Sequence, residues 1–261
     1  MRVAVLVPND DVISRLAAYA RSCFEAKGHE VFVVGHPPEA LMGTFRARRR
    51  RVGWLLAIDE AAYSLFEGMI NPWSVALQRL GLNQTPHLDF HIQDTTTGEL
   101  SSLLRFNGAD LLLAIGCTRI QLGGMPAGLI ALNLHPGVLP RYKGVGNPEA
   151  LLCGDTFNIG YTLHRLTTRI DEGDVFLRKR FLSKAELNFP VLYLATYQAA
   201  IVRMADCLED AVSKQWPCED DFWQSPMVVS QPPLWRLRLS CFLVVIARLL
   251  VNRVVIYFIG R

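Results

Sequence analysis

Two polar side chains stand at the end of one apolar run and could act on a substrate together. The run 129–134 predicts a buried strand, and it leads directly into His135, Pro136 and Gly137. Asn133 and His135 are two positions apart, so on a strand they point to the same face. A histidine exchanges protons near neutral pH, and an asparagine amide donates a fixed hydrogen bond. Together they could transfer a proton and stabilise a developing negative charge.

Taken singly, each residue also has a structural explanation. The histidine could be a hydrogen-bonded residue at a strand end, and the asparagine amide could satisfy buried backbone groups.

A carboxylate follows further along the chain, in a tight acidic turn. The turn 171–174 lies between two segments with strand pattern, 160–168 and 175–182. Its first residue, Asp171, could complete a site with the histidine. Turn chemistry alone would also explain an aspartate in this place.

The elements that must position these side chains predict an α/β fold, a three-layer, doubly wound and mostly parallel sheet. Strand patterns at 3–7 and 31–34 flank a helical pattern at 12–25, which makes a βαβ unit. Apart from Asp110, the run 109–115 is apolar, as expected of a buried central strand. In open sheets of this kind ligands collect outside the carboxyl ends of the strands, where the run 129–134 ends. The loop after the first strand has no G-x-G-x-x-G pattern, which disfavours a dinucleotide cofactor.

The sequence around these residues resembles the folate-dependent formyltransferase family. LNLHPGVLPRYKG at 132–144 is similar to the family signature N-x-H-P-s-l-L-P-x-Y-x-G, and RIDEGD at 169–174 is similar to its x-i-D-x-G-d turn, at the family's spacing. GD at 154–155 with GYTLH at 160–164 resembles its n-G-d…G-x-T-x-H segment. AIGCTRI at 114–120 resembles the stretch that lines the folate pteridine pocket. The family includes glycinamide ribonucleotide, methionyl-tRNA and sugar N-formyltransferases. The order and spacing of these motifs predict that the chain is a member.

The resemblance implies that Asn133, His135 and Asp171 are the catalytic residues of a formyl transfer from 10-formyltetrahydrofolate to an amine. His135 would exchange protons and, when protonated, donate to the oxyanion that develops. Asn133 would donate to the same oxygen, and Asp171 would hold an imidazolium or a proton-carrying water in place. Thr162 and His164 are expected to support the site.

The resemblance also implies a folate site around 113–120, with the backbone of 117–120 against the pteridine edge. Cys117 and Thr118 stand where the family often has larger residues. No metal is expected. The residues predicted to bind the co-substrate are Leu113, Gly116, Cys117, Thr118, Arg119, Ile120 and Asp174.

The composition is that of a folded protein, with 261 residues, 51% hydrophobic and 20% charged. We expect a catalytic domain at 1–215 and a C-terminal extension at 216–261. The six cysteines form no C-x-x-C pair, and the first apolar run is too short for a signal peptide, which favours a reducing, cytoplasmic compartment. The net charge of +3 is too small to indicate a nucleic-acid partner.

Two further segments lie outside the motifs. The stretch 40–82 has helical character and is expected to form an inserted helical arm, whose basic run 46–51 fits a solvated helix face better than a site for phosphates or anionic lipid. The apolar tail 239–259 contains Arg248 near its middle, which disfavours a transmembrane helix. The tail would instead lie in the inner membrane interface, giving peripheral association, or dock on the core or on a second subunit of a homodimer.

The acceptor is predicted to be a small-molecule amine. The segment after Val212 shows no multi-strand pattern of the kind expected for the C-terminal β-barrel of methionyl-tRNA formyltransferases. Glycinamide ribonucleotide formyltransferases lack a helical arm like 40–82. An amino sugar on a nucleotide or lipid carrier is therefore the preferred acceptor, with methionyl-tRNA and glycinamide ribonucleotide as alternatives. The remaining alternatives are a formyltetrahydrofolate hydrolase, which would use water as nucleophile, and an inactive folate-binding relic.

Overall fold

The computed structural model describes residues 1–38, 72–117, 120–143, 146–147, 150, 158–180, 189–212 and 219–220. The strands in these ranges are β1 (Arg2–Pro8), β2 (Glu30–His36), β3 (Phe90–His91), β4 (Leu111–Ile115), β5 (Ile130–His135), β6 (Gly160–Arg165), β7 (Val175–Arg180) and β8 (Glu219–Asp220). The helices are α1 (Asp11–Glu25), α2 (Pro72–Arg79), α3 (Gly98–Phe106) and α4 (Phe189–Val212).

These strands form one eight-stranded sheet in the order β3-β2-β1-β4-β5-β6-β7-β8. The strands from β3 across to β5 are all parallel to one another. β6 is antiparallel to both of its neighbours, and β7 and β8 are parallel. The expected α/β fold with a doubly wound, mostly parallel sheet is confirmed.

Apolar side chains fill both spaces between the sheet and the helices, which gives three layers. Along β4, Leu111, Leu113 and Ile115 face a large cluster that includes residues of α1, α2 and α4. Leu112 faces the opposite way, into a smaller cluster with Leu100 and Leu104 of α3. A strand that buries both faces must be apolar at every position, as Leu111–Ile115 is, and for this reason the sequence pattern predicts a central strand there.

Helix α1 starts directly after β1 because Asp10 caps it. The Asp10 carboxylate accepts hydrogen bonds from the backbone N–H groups of Val12 and Ile13, at 2.9 and 3.1 Å. In dinucleotide-binding folds this helix end receives a pyrophosphate. Here a carboxylate occupies it.

The region expected to be an inserted arm lies mostly outside the described residues, which resume at 72. From there it is helical, and Ala76, Leu77 and Leu82 are buried in the large cluster. The ring of Trp73 stands edge-on to Tyr193 of α4, with centroids 5.7 Å apart. The last part of 40–82 therefore belongs to the core.

The sheet also continues beyond the expected domain end at 215, because β8 pairs with β7. The apolar tail 239–259 and the basic run 46–51 lie outside the described residues. Across the ranges that are described, no helix is long and apolar enough to cross a membrane.

Candidate active site

Strands β5 and β6 bring four polar side chains together where the sheet turns from parallel to antiparallel. In the β5–β6 register Asn133 lies opposite His164, and His135 lies opposite Thr162. Cross-strand partners share a face of the sheet. All four side chains are buried. The predicted convergence of Asn133 and His135 is therefore present, and β6 adds its own pair.

Asp171 joins this group from the turn after β6. One carboxylate oxygen, Oδ2, lies 3.2 Å from His135 Nδ1. The other, Oδ1, accepts from Asn133 Nδ2 at 3.3 Å and lies 3.3 Å from His164 Nε2. Asp171 has φ of 53°, a left-handed backbone conformation that aspartate tolerates better than most residues. The sharp backbone turn aims the carboxylate back at the two strands.

Burial keeps the His135 imidazole neutral. Loss of solvent, the largest effect, lowers its pKa from 6.5 to about 4. The Asp171 carboxylate and a hydrogen bond to the Tyr142 backbone oppose this shift, and His164 adds to it. In the neutral ring the carboxylate requires the proton on Nδ1, because only Nδ1–H can donate to it. Nε2 is then a lone-pair acceptor, and it is buried without a hydrogen-bond partner among the described residues. His135 is therefore arranged as a proton acceptor.

His164 controls how Asn133 is used. Its Nδ1 lies 2.9 Å from the Arg165 carbonyl oxygen, which can only accept, so Nδ1 carries a proton. Its Nε2 lies 3.1 Å from Asn133 Nδ2 and accepts from the amide. Both Nδ2 hydrogens are thus used within the cluster, one by His164 and one by Asp171. A substrate oxygen would have to replace one of these two acceptors to receive an amide hydrogen.

Thr162 contacts the loop after β5 rather than the ring itself. Its Oγ1 donates to the Gly137 carbonyl at 2.7 Å and accepts from the Leu139 N–H at 3.0 Å. Thr162 has no exposed surface. It supports the loop that carries the signature residues.

Of the residues predicted to bind the co-substrate, those that the structure describes lie in β4, shortly after it, or just before β7. Gly116 has φ of +69° and turns the chain directly after β4. The Cys117 thiol then lies 3.2 Å from His36 Nε2, at the end of β2. His36 Nδ1 donates to the Pro37 carbonyl at 2.8 Å, so Nε2 of the neutral ring is an acceptor for the thiol, and the Leu6 carbonyl is a second acceptor at 3.4 Å. Burial raises the pKa of Cys117, so its sulfur stays protonated.

The other predicted binding residues differ in how far they reach this edge of the sheet. Leu113 has no exposed surface and packs in the core below it. Ile120 is half-buried, in contact with the smaller cluster. Asp174 is exposed, and its carbonyl accepts from the Arg165 N–H at 2.9 Å. Thr118 and Arg119 lie outside the described residues.

Sequence reasoning missed several residues that hold this site. Asn147 has no exposed surface, and it donates to the Pro136 carbonyl through its N–H and accepts from the Gly160 N–H through Oδ1. Lys143 pairs with Glu172 at 3.2 Å and so joins the loop after His135 to the Asp171 turn. The paired charges lay inside the two signature motifs and could have been noticed there. Nothing in the local pattern marks Asn147.

No cluster of three or more His, Cys, Asp or Glu side chains suited to a metal ion occurs within the described part of the chain.

An open, mostly parallel sheet with a buried Asn–His–Asp cluster at its strand ends defines an α/β protein equipped for acid–base chemistry. A family model described as Formyl transferase matches residues 1–193. This match covers most of the chain, and the protein belongs to the formyl transferase family.

Among curated relatives, the chain is similar to the methionyl-tRNA formyltransferase of Coprothermobacter proteolyticus, with 34% identity over 53 residues, 20% of this chain and 17% of that protein. It is similar to the Borreliella afzelii methionyl-tRNA formyltransferase at 33% over 89 residues, 32% of this chain and 27% of that protein. The matched segments thus span less than a third of either relative.

Solved structures with a similar chain path include a sugar N-formyltransferase from a Shewanella species, at 14% identity over 86% of this chain and 75% of that one, with a TM-score of 0.49. A glycinamide ribonucleotide transformylase from Symbiobacterium toebii aligns at 19% identity over 82% of this chain and 88% of that one, with a TM-score of 0.48.

Proposed function

We propose that the protein transfers the formyl group of 10-formyltetrahydrofolate to the amine of a small molecule, an amino sugar on a nucleotide or lipid carrier. The main support for this reaction is the environment of His135. Its Nδ1 lies 3.2 Å from Asp171 Oδ2, and its buried Nε2 has no hydrogen-bond partner among the described residues. A neutral imidazole whose Nε2 lone pair has no hydrogen-bond donor can act as the base that an attacking amine requires. Family membership supports formyl as the group transferred.

Each of the three residues Asn133, His135 and Asp171 has its own role in the proposed transfer. The folate co-substrate supplies a formyl carbon bonded to nitrogen. As the acceptor nitrogen bonds to that carbon, His135 Nε2 takes the proton that the amine must lose, and Asp171 stabilises the resulting imidazolium through Nδ1. Asn133 donates to the oxygen that becomes negative, which replaces one of the two acceptors of its amide in the cluster. His135 then returns the proton to the folate nitrogen as its bond to carbon breaks, and the site is ready for another cycle.

Methionyl-tRNA is the second candidate acceptor, because the similar curated relatives are named methionyl-tRNA formyltransferases.

A lipid-linked sugar would instead place the enzyme at the cytoplasmic face of a membrane. The apolar run 239–259, with arginines within it and just before it, supports that location.

The test is tetrahydrofolate release, followed optically with the purified full-length chain and 10-formyltetrahydrofolate. The acceptor is omitted or is a nucleotide-linked amino sugar, glycinamide ribonucleotide or methionyl-tRNA, and His135→Gln serves as the inactive control. Release with an amino sugar alone supports the proposal. Release only with methionyl-tRNA would identify tRNA as the acceptor, and release without any amine would identify the protein as a hydrolase. No release in any mixture would contradict formyl transfer to these acceptors.

A further inference from the structure

The loop that follows His135 is held by a buried hydroxyl on the neighbouring strand. We propose that Thr162 is a positioning residue: by fixing the backbone of Gly137, it holds the His135 imidazole against Asp171 with Nε2 directed at the acceptor. The inference rests on the proposed role of His135 as the proton acceptor. Thr162 acts through the loop and does not touch the reacting atoms.

The hydroxyl of Thr162 is fully used by the loop. It donates to the Gly137 carbonyl at 2.7 Å and accepts from the Leu139 N–H at 3.0 Å, so it bonds on both sides of residue 138. Thr162 has no exposed surface and lies opposite His135 in the strand register. A hydroxyl with both bonds in the backbone has little left to offer a substrate.

Gly137 transmits this constraint to the imidazole. A Cβ added at Gly137 would lie 2.9 Å from His135 Nε2 and 3.2 Å from Cδ2, so the glycine backbone packs directly on the ring edge. The same Cβ would lie 2.8 Å from the Cα of Gly146, so the Gly137 backbone is closely packed on that side as well. The ring is thus held between Gly137 and the Asp171 carboxylate on its Nδ1 side.

Other anchors fix neighbouring points of the loop, and the Gly137 N–H donates to the His135 carbonyl at 2.9 Å, but it is Thr162 that holds the Gly137 carbonyl. The Asn147 N–H donates to the Pro136 carbonyl, and Arg178 Nη1 donates to the Leu139 carbonyl at 2.6 Å. The ionisable side chains that face the ring are Asp171, from the turn after β6, and His164, from β6 itself. Loss of the Thr162 hydroxyl therefore frees the Gly137 carbonyl while these charges remain.

Thr162→Val tests the inference, because valine keeps the shape and removes both hydrogen bonds. With Gly137 released, we expect water to reach the ring and the His135 pKa to rise from about 4 toward 6.5. The turnover number should fall roughly 10- to 10²-fold, because the base is misplaced, with little change in KM for the folate. Thr162→Ser keeps the hydroxyl and should restore both the pKa and the turnover.

The titration is followed by NMR of 13C-labelled histidines in the full-length protein, with the His135 signal assigned from His135→Gln. Ser101→Ala is the matched control, since it also removes a buried hydroxyl bonded to a backbone carbonyl, at 2.8 Å in α3. A raised His135 pKa in Thr162→Val but not in Ser101→Ala or Thr162→Ser supports positioning. An unmoved titration in a folded Thr162→Val overturns it.

The NMR result does not depend on the acceptor, so it separates the two proposals. A raised pKa in a protein that never releases tetrahydrofolate keeps the positioning and rejects the proposed function. If Thr162→Val does not fold, Gly137→Ala replaces it, because its Cβ displaces the ring directly. An unchanged His135 pKa in a folded Gly137→Ala also counts against the inference.

Discussion

Asp171 is the residue on which the site converges, because each of its carboxylate oxygens serves a different neighbour. Oδ2 faces His135, and Oδ1 faces Asn133 and His164. An amide in its place would present an NH2 group to one side and break one set of contacts. The left-handed backbone at Asp171 adds a second requirement, since most side chains are strained there. Few residues other than aspartate satisfy both conditions.

Replacing Asn133 with alanine should lower turnover by about 10²- to 10³-fold, as expected for the loss of one donor to a developing oxyanion. The loss should appear in kcat more than in KM, because the donor acts mainly in the transition state. Steady-state release of tetrahydrofolate measures it. Asn107→Ala, which removes an amide bonded to the Leu103 carbonyl at the end of α3, is the control. Near-normal turnover in Asn133→Ala would remove that residue from this role.

His135 should also make the fold less stable in mild acid. Its folded pKa of about 4 lies below the ordinary 6.5, so below pH 6.5 the unfolded chain binds a proton that the folded chain does not. Stability therefore falls as the pH drops from 6.5 toward 4, and between pH 7 and pH 5 the loss should be about 2 kcal/mol.

Urea unfolding at pH 7 and pH 5 measures this loss. His135→Gln has no titrating ring and should lose correspondingly less stability over that interval. Equal losses in the two proteins would show that His135 titrates normally in the folded state.

At the scale of elements, the position of Asp171 depends on how tightly its turn packs against the end of β6. A Cβ at Gly173 would overlap the carbonyl oxygen of Arg165, which is backbone and cannot rotate away. The Arg165 N–H in turn donates to the Asp174 carbonyl. Glycine at 173 therefore allows the turn to close over the strand.

Gly173→Ala should push this turn outward and carry the Asp171 carboxylate away from His135. We expect a stability loss of about 1 to 3 kcal/mol, typical of overpacking, together with a loss of turnover. Chemical unfolding and tetrahydrofolate release measure the two effects. Gly98→Ala is the control, because the nearest atom to its new Cβ is Ser101 Oγ at 3.9 Å and alanine favours a helix. Similar results for both variants would contradict the packing argument.

Elements with long apolar runs could be predicted from the sequence, and those defined by their neighbours could not. β4 and β5 could be predicted because buried strands require apolar residues. Asn133 and His135 could be assigned to one face because they are two residues apart. β6 was expected to reach 168 but ends at Arg165, since the chain must turn there to return Asp171 to the site. β8 has two residues, too few to show any period.

The site shows the same division. The contact between His36 and Cys117 requires β1 to lie between β2 and β4, and strand order is a property of the assembled sheet. The two hydrogen bonds of Thr162 likewise need the antiparallel pairing of β5 and β6. Local patterns report burial and periodicity, whereas these contacts depend on which strands become neighbours.

For the whole molecule, a membrane-surface location follows from the proposed lipid-linked acceptor. The full-length protein should float with vesicles of phosphatidylglycerol and phosphatidylcholine, and less with phosphatidylcholine alone, because arginines near the apolar run 239–259 would meet anionic head groups. A protein truncated after Pro233 should stay at the bottom of the gradient, with its tetrahydrofolate release as a check on folding. Equal flotation of both proteins would count against this location.

One pairing, between β5 and β6, serves the core and the site at once. Side chains alternate along a strand, so Leu132, Leu134 and Leu163 pack in the large cluster while Asn133 and His164 meet on the other face. A one-residue shift in the β5–β6 register would move His164 into the hydrophobic core and place a leucine beside His135. Misfolded molecules of this kind would be unstable and inactive together. The specific activity of a preparation should therefore report the fraction of its molecules that folded correctly.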